Sequence, residues 1–154
     1  MEQNKFKKYF LILISFFIIT SCQFQWIQNN SIELKKIEFG SSVKDSFKRK
    51  TVKYFSTDLS NNNLSLKILN VKFKKKNFYG GAAARAKQIE IIGELEYIFS
   101  NSDVKKNGKL KTSGWIPVNE ANPLSEMIAR KTIIEELEFV LLEKLSEEYW
   151  LIES

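Results

Sequence analysis

The chain has 154 residues, with 24 Lys or Arg against 18 Asp or Glu for a net charge of +6, one cysteine and no histidine. Without histidine and with a single thiol, the usual zinc ligand sets, the Cys–His pair and the Ser–His–Asp triad are all excluded. The length suits one compact domain rather than two.

Lys5, Lys7 and Lys8 precede an uncharged run from Tyr9 to Thr20 that is rich in Phe, Leu and Ile. A basic stretch before a short apolar one has the form of an export signal. A helix crossing hydrocarbon needs about 20 apolar residues, and this run is shorter, so cleavage is expected rather than retention. Ile19-Thr20-Ser21-Cys22 resembles the lipobox of bacterial lipoproteins, where an aliphatic and two small residues precede the cysteine that is lipidated. The expectation is a signal peptide over 1–21 and a lipid anchor on Cys22, the sole cysteine. Gln23 rather than Asp follows it, which resembles the pattern sorted to the outer membrane. More than one acyl chain is needed there, because a single chain holds only marginally. Residues 22–31 carry no charge and read as a tether, in which Trp26 either meets the lipid interface or packs on the domain.

Residues 32–154 are expected to form the folded domain. Ile32, Leu34, Ile37 and Phe39 mark a first strand whose alternation Lys35-Lys36 interrupts. Val43, Phe47, Thr51 and Phe55 then recur every fourth residue among lysines, the pattern of an amphipathic helix ending before Asn61-Asn62-Asn63. Three strands follow: Leu64 to Phe73, Gln88 to Phe99, and Lys109 to Val118. The second alternates cleanly, with Ile89, Ile91, Leu95, Tyr97 and Phe99 opposite Glu90, Glu94 and Glu96. Lys105-Lys106-Asn107-Gly108 looks like the hairpin turn joining the last two, since Asn-Gly tolerates positive φ. Asn122-Pro123 supplies a helix N-cap and first turn. Ala129, Ile133, Leu137, Val140, Leu141 and Leu145 form its apolar stripe, with Lys131, Glu135 and Glu138 expected outside. The order β-α-β-β-β-α predicts an α+β fold, with two helices packed on one face of a four-stranded sheet.

Charge is unevenly placed. Residues 31–87 hold fourteen basic and four acidic side chains, and residues 88–154 hold seven and thirteen, so the domain is polarised. Lys72, Lys74, Lys75 and Lys76, interleaved with Phe73, Phe78 and Tyr79, are the densest basic cluster. In a cytoplasmic protein that mixture would suggest nucleic acid. For an exported lipoprotein the alternatives are a solvated lysine-rich loop or a site for lipid phosphates or an acidic partner surface; no nucleic acid is expected. What survives for an enzyme is a carboxylate pair or a Ser–Lys dyad; Glu94 and Glu96 lie two apart on one strand face, and the solvent side of an alternating strand accounts for them. No enzyme activity and no cofactor is expected. Gly80-Gly81-Ala82-Ala83-Ala84-Arg85 lacks phosphate-loop spacing and precedes a strand, so it reads as a connection whose Arg85 can meet an anion.

A small-residue loop with Arg85, an alternating strand and its hairpin partner, then Asn122-Pro123-Leu124 to Ala129-Arg130 and a long helix, resemble the LPS-assembly lipoprotein family LptE. The lipobox, the tether with Trp26 and the β-α-β-β-β-α order are similar to that family as well. The resemblance implies an outer-membrane lipoprotein seated as a plug inside the β-barrel LptD, assisting barrel assembly and the passage of lipopolysaccharide to the outer leaflet. It further implies lipopolysaccharide binding through basic residues, for which Lys75, Lys76, Arg85 and Lys87 are the candidates here. Two other classes remain open: a lipid-binding auxiliary lipoprotein of an envelope transport system, and a structural envelope lipoprotein that shares only the layout. A carrier needs an unfilled apolar cavity, whereas two helices over one sheet face are expected only to fill a core.

Overall fold

The structure is a computed structural model that describes residues 32–57, 64–79, 86–118 and 122–153. The chain divides into two units, Met1–Asn30 and Ser31–Ser154. The first unit, and with it the apolar run, Cys22 and Trp26, lies outside the described residues, as do Asn61-Asn62-Asn63 and the segment from Gly80 to Arg85.

The first predicted strand is two strands. Ile32 and Leu34 are apolar at even positions, while Ile37 and Phe39 are apolar at odd ones, so the side-chain period slips by one across Lys35-Lys36. A one-residue slip turns every later side chain to the other face. The chain absorbs it by changing partners: β1 (Ile32–Leu34) pairs in parallel with β3 (Phe55–Thr57), and β2 (Lys36–Phe39) pairs in parallel with β4 (Ser65–Tyr79). Lys35 at the junction donates its N–H to the Leu64 carbonyl at 2.9 Å. The predicted order thus gains a small parallel sheet of β1 and β3 beside the four-stranded sheet β2-β4-β5-β6.

Helix α1 (Asp45–Tyr54) buries Phe47 and Thr51, and the Thr51 hydroxyl donates to the Phe47 carbonyl at 2.9 Å, so no polar group is stranded. Asp45 in the first turn and Lys53 in the last complement the helix dipole. Phe55, the last of the four-residue repeat, is already the first residue of β3 and fully buried.

β4 pairs antiparallel with β5 (Ala86–Ser100), and β5 with β6 (Lys105–Pro117). β4 runs six residues past its predicted end at Phe73. Lysine has a low strand propensity, but Lys74, Lys75 and Lys76 lie directly opposite Ile92, Ile91 and Glu90, and cross-strand partners of this kind override local preference. The lysine-rich segment is therefore strand and not loop. The predicted turn at Asn107-Gly108 is also displaced: these residues sit inside β6 opposite Ile98 and Tyr97. The reversal falls at Asn101–Val104. There the Asn101 side-chain oxygen accepts the N–H groups of Asp103 and Val104 at 2.9 and 2.5 Å, and the Asn101 N–H reaches the Val104 carbonyl. An Asx turn of this sort needs no glycine.

Helix α2 (Pro123–Glu153) starts as predicted, with the Asn122 side-chain oxygen accepting the Ser125 N–H at 3.1 Å. It lies across β5 and β6, and α1 lies beside it on the same sheet face. The main core joins Leu66, Ile68, Leu95, Tyr97 and Phe99 of the sheet to Phe47 and Phe55, and to Leu141, Leu142, Leu145 and Tyr149 of α2. A smaller cluster of Ile89, Ile91, Ile116 and Leu137 fills the other end. Where α2 crosses β6, Gly114 makes room for Ile133: a Cβ there would sit 2.7 Å from the end of that side chain, which would have to shift. No helix among the described residues is long and apolar enough to cross a membrane.

Candidate functional site

Strand alternation separates the candidate lysines. Successive residues of a strand face opposite ways, so Lys75 points to the helix-bearing face and Lys76 to the open face. Lys75 reaches across to Glu126 of α2 at 3.4 Å. Lys76 places its ammonium 4.7 Å from the centroid of the Phe78 ring, a cation–π contact. Lys87 lies in β5, its side chain outside the described residues, as are Arg85 and Cys22.

On the open face the acids of β5 run between two rows of lysines. Lys72 and Lys111 stand opposite Glu94 from either side, and Lys109 stands opposite Glu96. Glu94 receives Lys74 at 2.9 Å and Lys109 at 3.3 Å, and Lys109 also reaches Glu96 at 3.3 Å. The hydrogen bond from Lys74, reinforced by Lys109, holds the Glu94 carboxyl below the ordinary glutamate range despite some desolvation. A general acid at neutral pH needs the opposite shift, so Glu94 serves to bind lysines. Beyond this ladder Phe78 and Trp115 meet across β5 with ring centroids 4.6 Å apart, and Trp115 keeps half its surface exposed.

The helix-bearing face holds what the sequence left hidden. α1 and α2 do not close against each other along their whole length. Between them is an open groove of about 780 Å³, bounded by Lys44, Lys50, Arg130 and Lys131 and by Glu135 and Glu138, around Met127, Ile134 and Phe139. A second cavity of about 370 Å³ adjoins it and reaches β4 at Val71–Lys74, with Phe47, Val71, Phe73 and Ile134 as its apolar lining and Lys44, Arg130 and Glu138 around them. The two helices fill a core against the sheet, as expected, and leave an open surface groove beside it.

Glu138, expected on the outer side of α2, is buried between these cavities and ion-paired to Lys50 at 2.7 Å. Its register could have shown this: Ile134, Glu138, Leu141 and Leu145 form a second stripe at helical spacing, with the glutamate inside it. Lys50 also caps the Phe139 ring at 4.6 Å, and Phe139 is near Tyr54. At the other end of the core, Tyr97 donates to Glu148 at 2.8 Å, and Lys106 pairs with the same carboxylate. Burial, and then the neighbouring Glu148, raises the Tyr97 hydroxyl well above its ordinary value. Lys106, and then Tyr97, lowers Glu148.

Solved structures that share this fold include three bacterial lipoproteins. Rare lipoprotein B of Shewanella oneidensis superposes with a TM-score of 0.62 at 10% identity, covering 77% of this chain and 96% of its own. Uncharacterized lipoprotein B of Nitrosomonas europaea gives 0.58 at 7% identity, over 73% of this chain and 81% of its own. A minor lipoprotein of Acinetobacter baumannii gives 0.50 at 12% identity, over 77% and 95%. At such identities the likeness is one of fold, a helix-bearing four-stranded α+β domain. No protein-family model and no curated protein matches the chain.

Proposed function

We propose that this chain is an envelope lipoprotein of the LptE type, anchored through lipid on Cys22 to the outer membrane, with 1–21 as its signal peptide and 22–31 as its tether. On this reading it plugs the LptD barrel and assists barrel assembly and lipopolysaccharide insertion. The observation that carries the reading is a joint one: a lipobox-like Ile19-Thr20-Ser21-Cys22 precedes a domain sharing its fold with nearly the whole of a rare lipoprotein B, a family that is LptE. The role is one of shape and charge, with no catalytic step. Lipopolysaccharide phosphates are held by basic groups of the β4–β5 hairpin: Lys76 on the open face, Lys75 on the helix-bearing face, and Arg85 and Lys87.

The test is purification of the tagged, lipidated protein from detergent-solubilised outer membranes. One large β-barrel protein in near-equal amount is the expected result. Recovery of the protein alone overturns the plug.

The groove between α1 and α2 favours a second reading, a lipid-binding auxiliary lipoprotein, since its apolar lining and net basic rim suit an anionic amphiphile. Bound lipid co-purifying with a protein free of any barrel would select that reading over the first.

A further inference from the structure

Among the described residues, β4 is paired on both sides at only four of its fifteen residues. β2 occupies its far edge opposite Ser65 to Ile68, and then leaves. The departure is built in at Gly40, whose N–H still reaches the Ile68 carbonyl at 2.8 Å, and whose missing Cβ would strike the Leu69 carbonyl oxygen. A register shift between Ile68 and Asn70 bends β4 at the same point. From Val71 β4 continues in unbroken register with β5 to Phe78, with a second shift before Tyr79, and among the described residues no strand lies on its other side. This open edge is longer than an ordinary strand of 5–6 residues, and its N–H and C=O groups form a ready template for pairing.

What flanks the edge defines what it accepts. On the helix-bearing side the 370 Å³ cavity abuts β4, with Phe47, Val71, Phe73 and Ile134 as apolar lining. On the open side Lys72 and Lys76 project beside the edge, and Lys74 is already engaged by Glu94. An added strand would turn alternate side chains to these two environments. We propose that the Val71–Tyr79 edge of β4 is a strand-addition site for an extended partner segment that alternates acidic with apolar residues. The apolar ones enter the groove and the acidic ones meet Lys72 and Lys76. Main-chain bonds supply the affinity of such contacts and side-chain pockets their selectivity. The same lysines disfavour a second copy of β4, which would bring like charges face to face. The site shares Lys76 with the lipopolysaccharide contacts proposed above but needs neither the barrel nor lipopolysaccharide, so its failure and that of the plug reading are distinguishable.

The test uses the full chain in detergent and a capped eight-residue peptide alternating glutamate with valine. Two further probes carry the same sequence N-methylated at every valine or at every glutamate, each blocking one edge of the peptide. The expected results are binding of the plain peptide and about tenfold slower hydrogen exchange at alternate amides between Val71 and Tyr79. At least one methylated probe should bind about tenfold more weakly, as should the plain peptide to the Lys72→Glu, Lys76→Glu double variant. Both variant positions are on the open face, away from the core. If both methylated probes bind as well as the plain one, the contact is ionic only and strand addition is overturned. The same holds if exchange slows elsewhere than on β4, or if the plain peptide does not bind.

Discussion

The two ends of the sheet are built from the same strands and the same helix, yet only one is finished. At the end holding Leu66, Tyr97 and Phe99, β2 completes the sheet edge, α1 closes one flank, and α2 contributes Leu141, Leu142, Leu145 and Tyr149, all buried. At the other end β4 and β5 run on without β2, the core shrinks to Ile89, Ile91, Ile116 and Leu137, and the first turns of α2 leave Leu124, Met127 and Ile128 more than half exposed. α2 is apolar over both halves, so what differs is how many elements converge on it. Burial, and hence stability, follows the number of converging layers rather than the hydrophobicity of one helix. The finished end is a foundation, and the unfinished end has the groove, the lysines and an edge that no described strand pairs.

The largest expected effect tests that contrast directly. Leu141→Ala at the finished end removes a fully buried side chain and should cost about 2–5 kcal/mol in chemical denaturation. Ile133→Ala, half-buried at the open end, should cost about 1 kcal/mol, since less area leaves the core. Equal losses would dissolve the distinction between the ends.

Next comes the ion pair at their boundary. Lys50→Met strands the Glu138 carboxylate, only 5% exposed, and should cost about 2–3 kcal/mol; replacing both partners, Lys50→Met with Glu138→Leu, should recover most of it. A double variant no better than the single one would mean that the pair is not what holds α1 to α2. Asn122→Ala removes the cap of the loosely held first turn and should lower stability by about 1 kcal/mol. Its clearer signature is faster hydrogen exchange in the first turn of α2, with the stretch around Leu141 unchanged.

The smallest effect is a pH slope at the finished end. The folded Glu148 carboxyl is lowered from 4.5 by Lys106 and Tyr97. Its contribution is therefore present above pH 4.5 and is lost as the pH falls through that value toward the lowered one. Glu148→Gln should flatten the acid side of the stability profile and leave its neutral-to-alkaline shape in place. An unchanged acid limb would assign that limb to the exposed carboxylates of the open face.

Much of this architecture is legible in the chain. The period-two pattern of Gln88 to Phe99 gives β5 and its buried face residue for residue, because a half-buried strand must alternate. Asn122-Pro123 gives the start of α2, because capping is local chemistry. The slip of period between Leu34 and Ile37 is visible as well, but not its outcome, since parallel pairing with β3 and β4 depends on residues twenty or more positions away. The turn at Asn101 was hidden by the stronger Asn-Gly signal at Asn107-Gly108, which cross-strand pairing overrides. Of the candidate cluster, Lys75 and Lys76 are adjacent in sequence and lie on opposite faces, a separation that follows from β4 being strand there, where the lysines themselves suggest a loop.

By itself, then, the sequence determined the α+β order, the faces of β5 and the cap of α2, because each depends on neighbours within about two turns or one strand. Only the tertiary structure decided that β2 abandons β4 at Gly40, that Glu138 turns inward to Lys50, and that a groove opens between α1 and α2. Those features come from where distant segments stop touching one another, and the periodicity of a single segment carries no record of that.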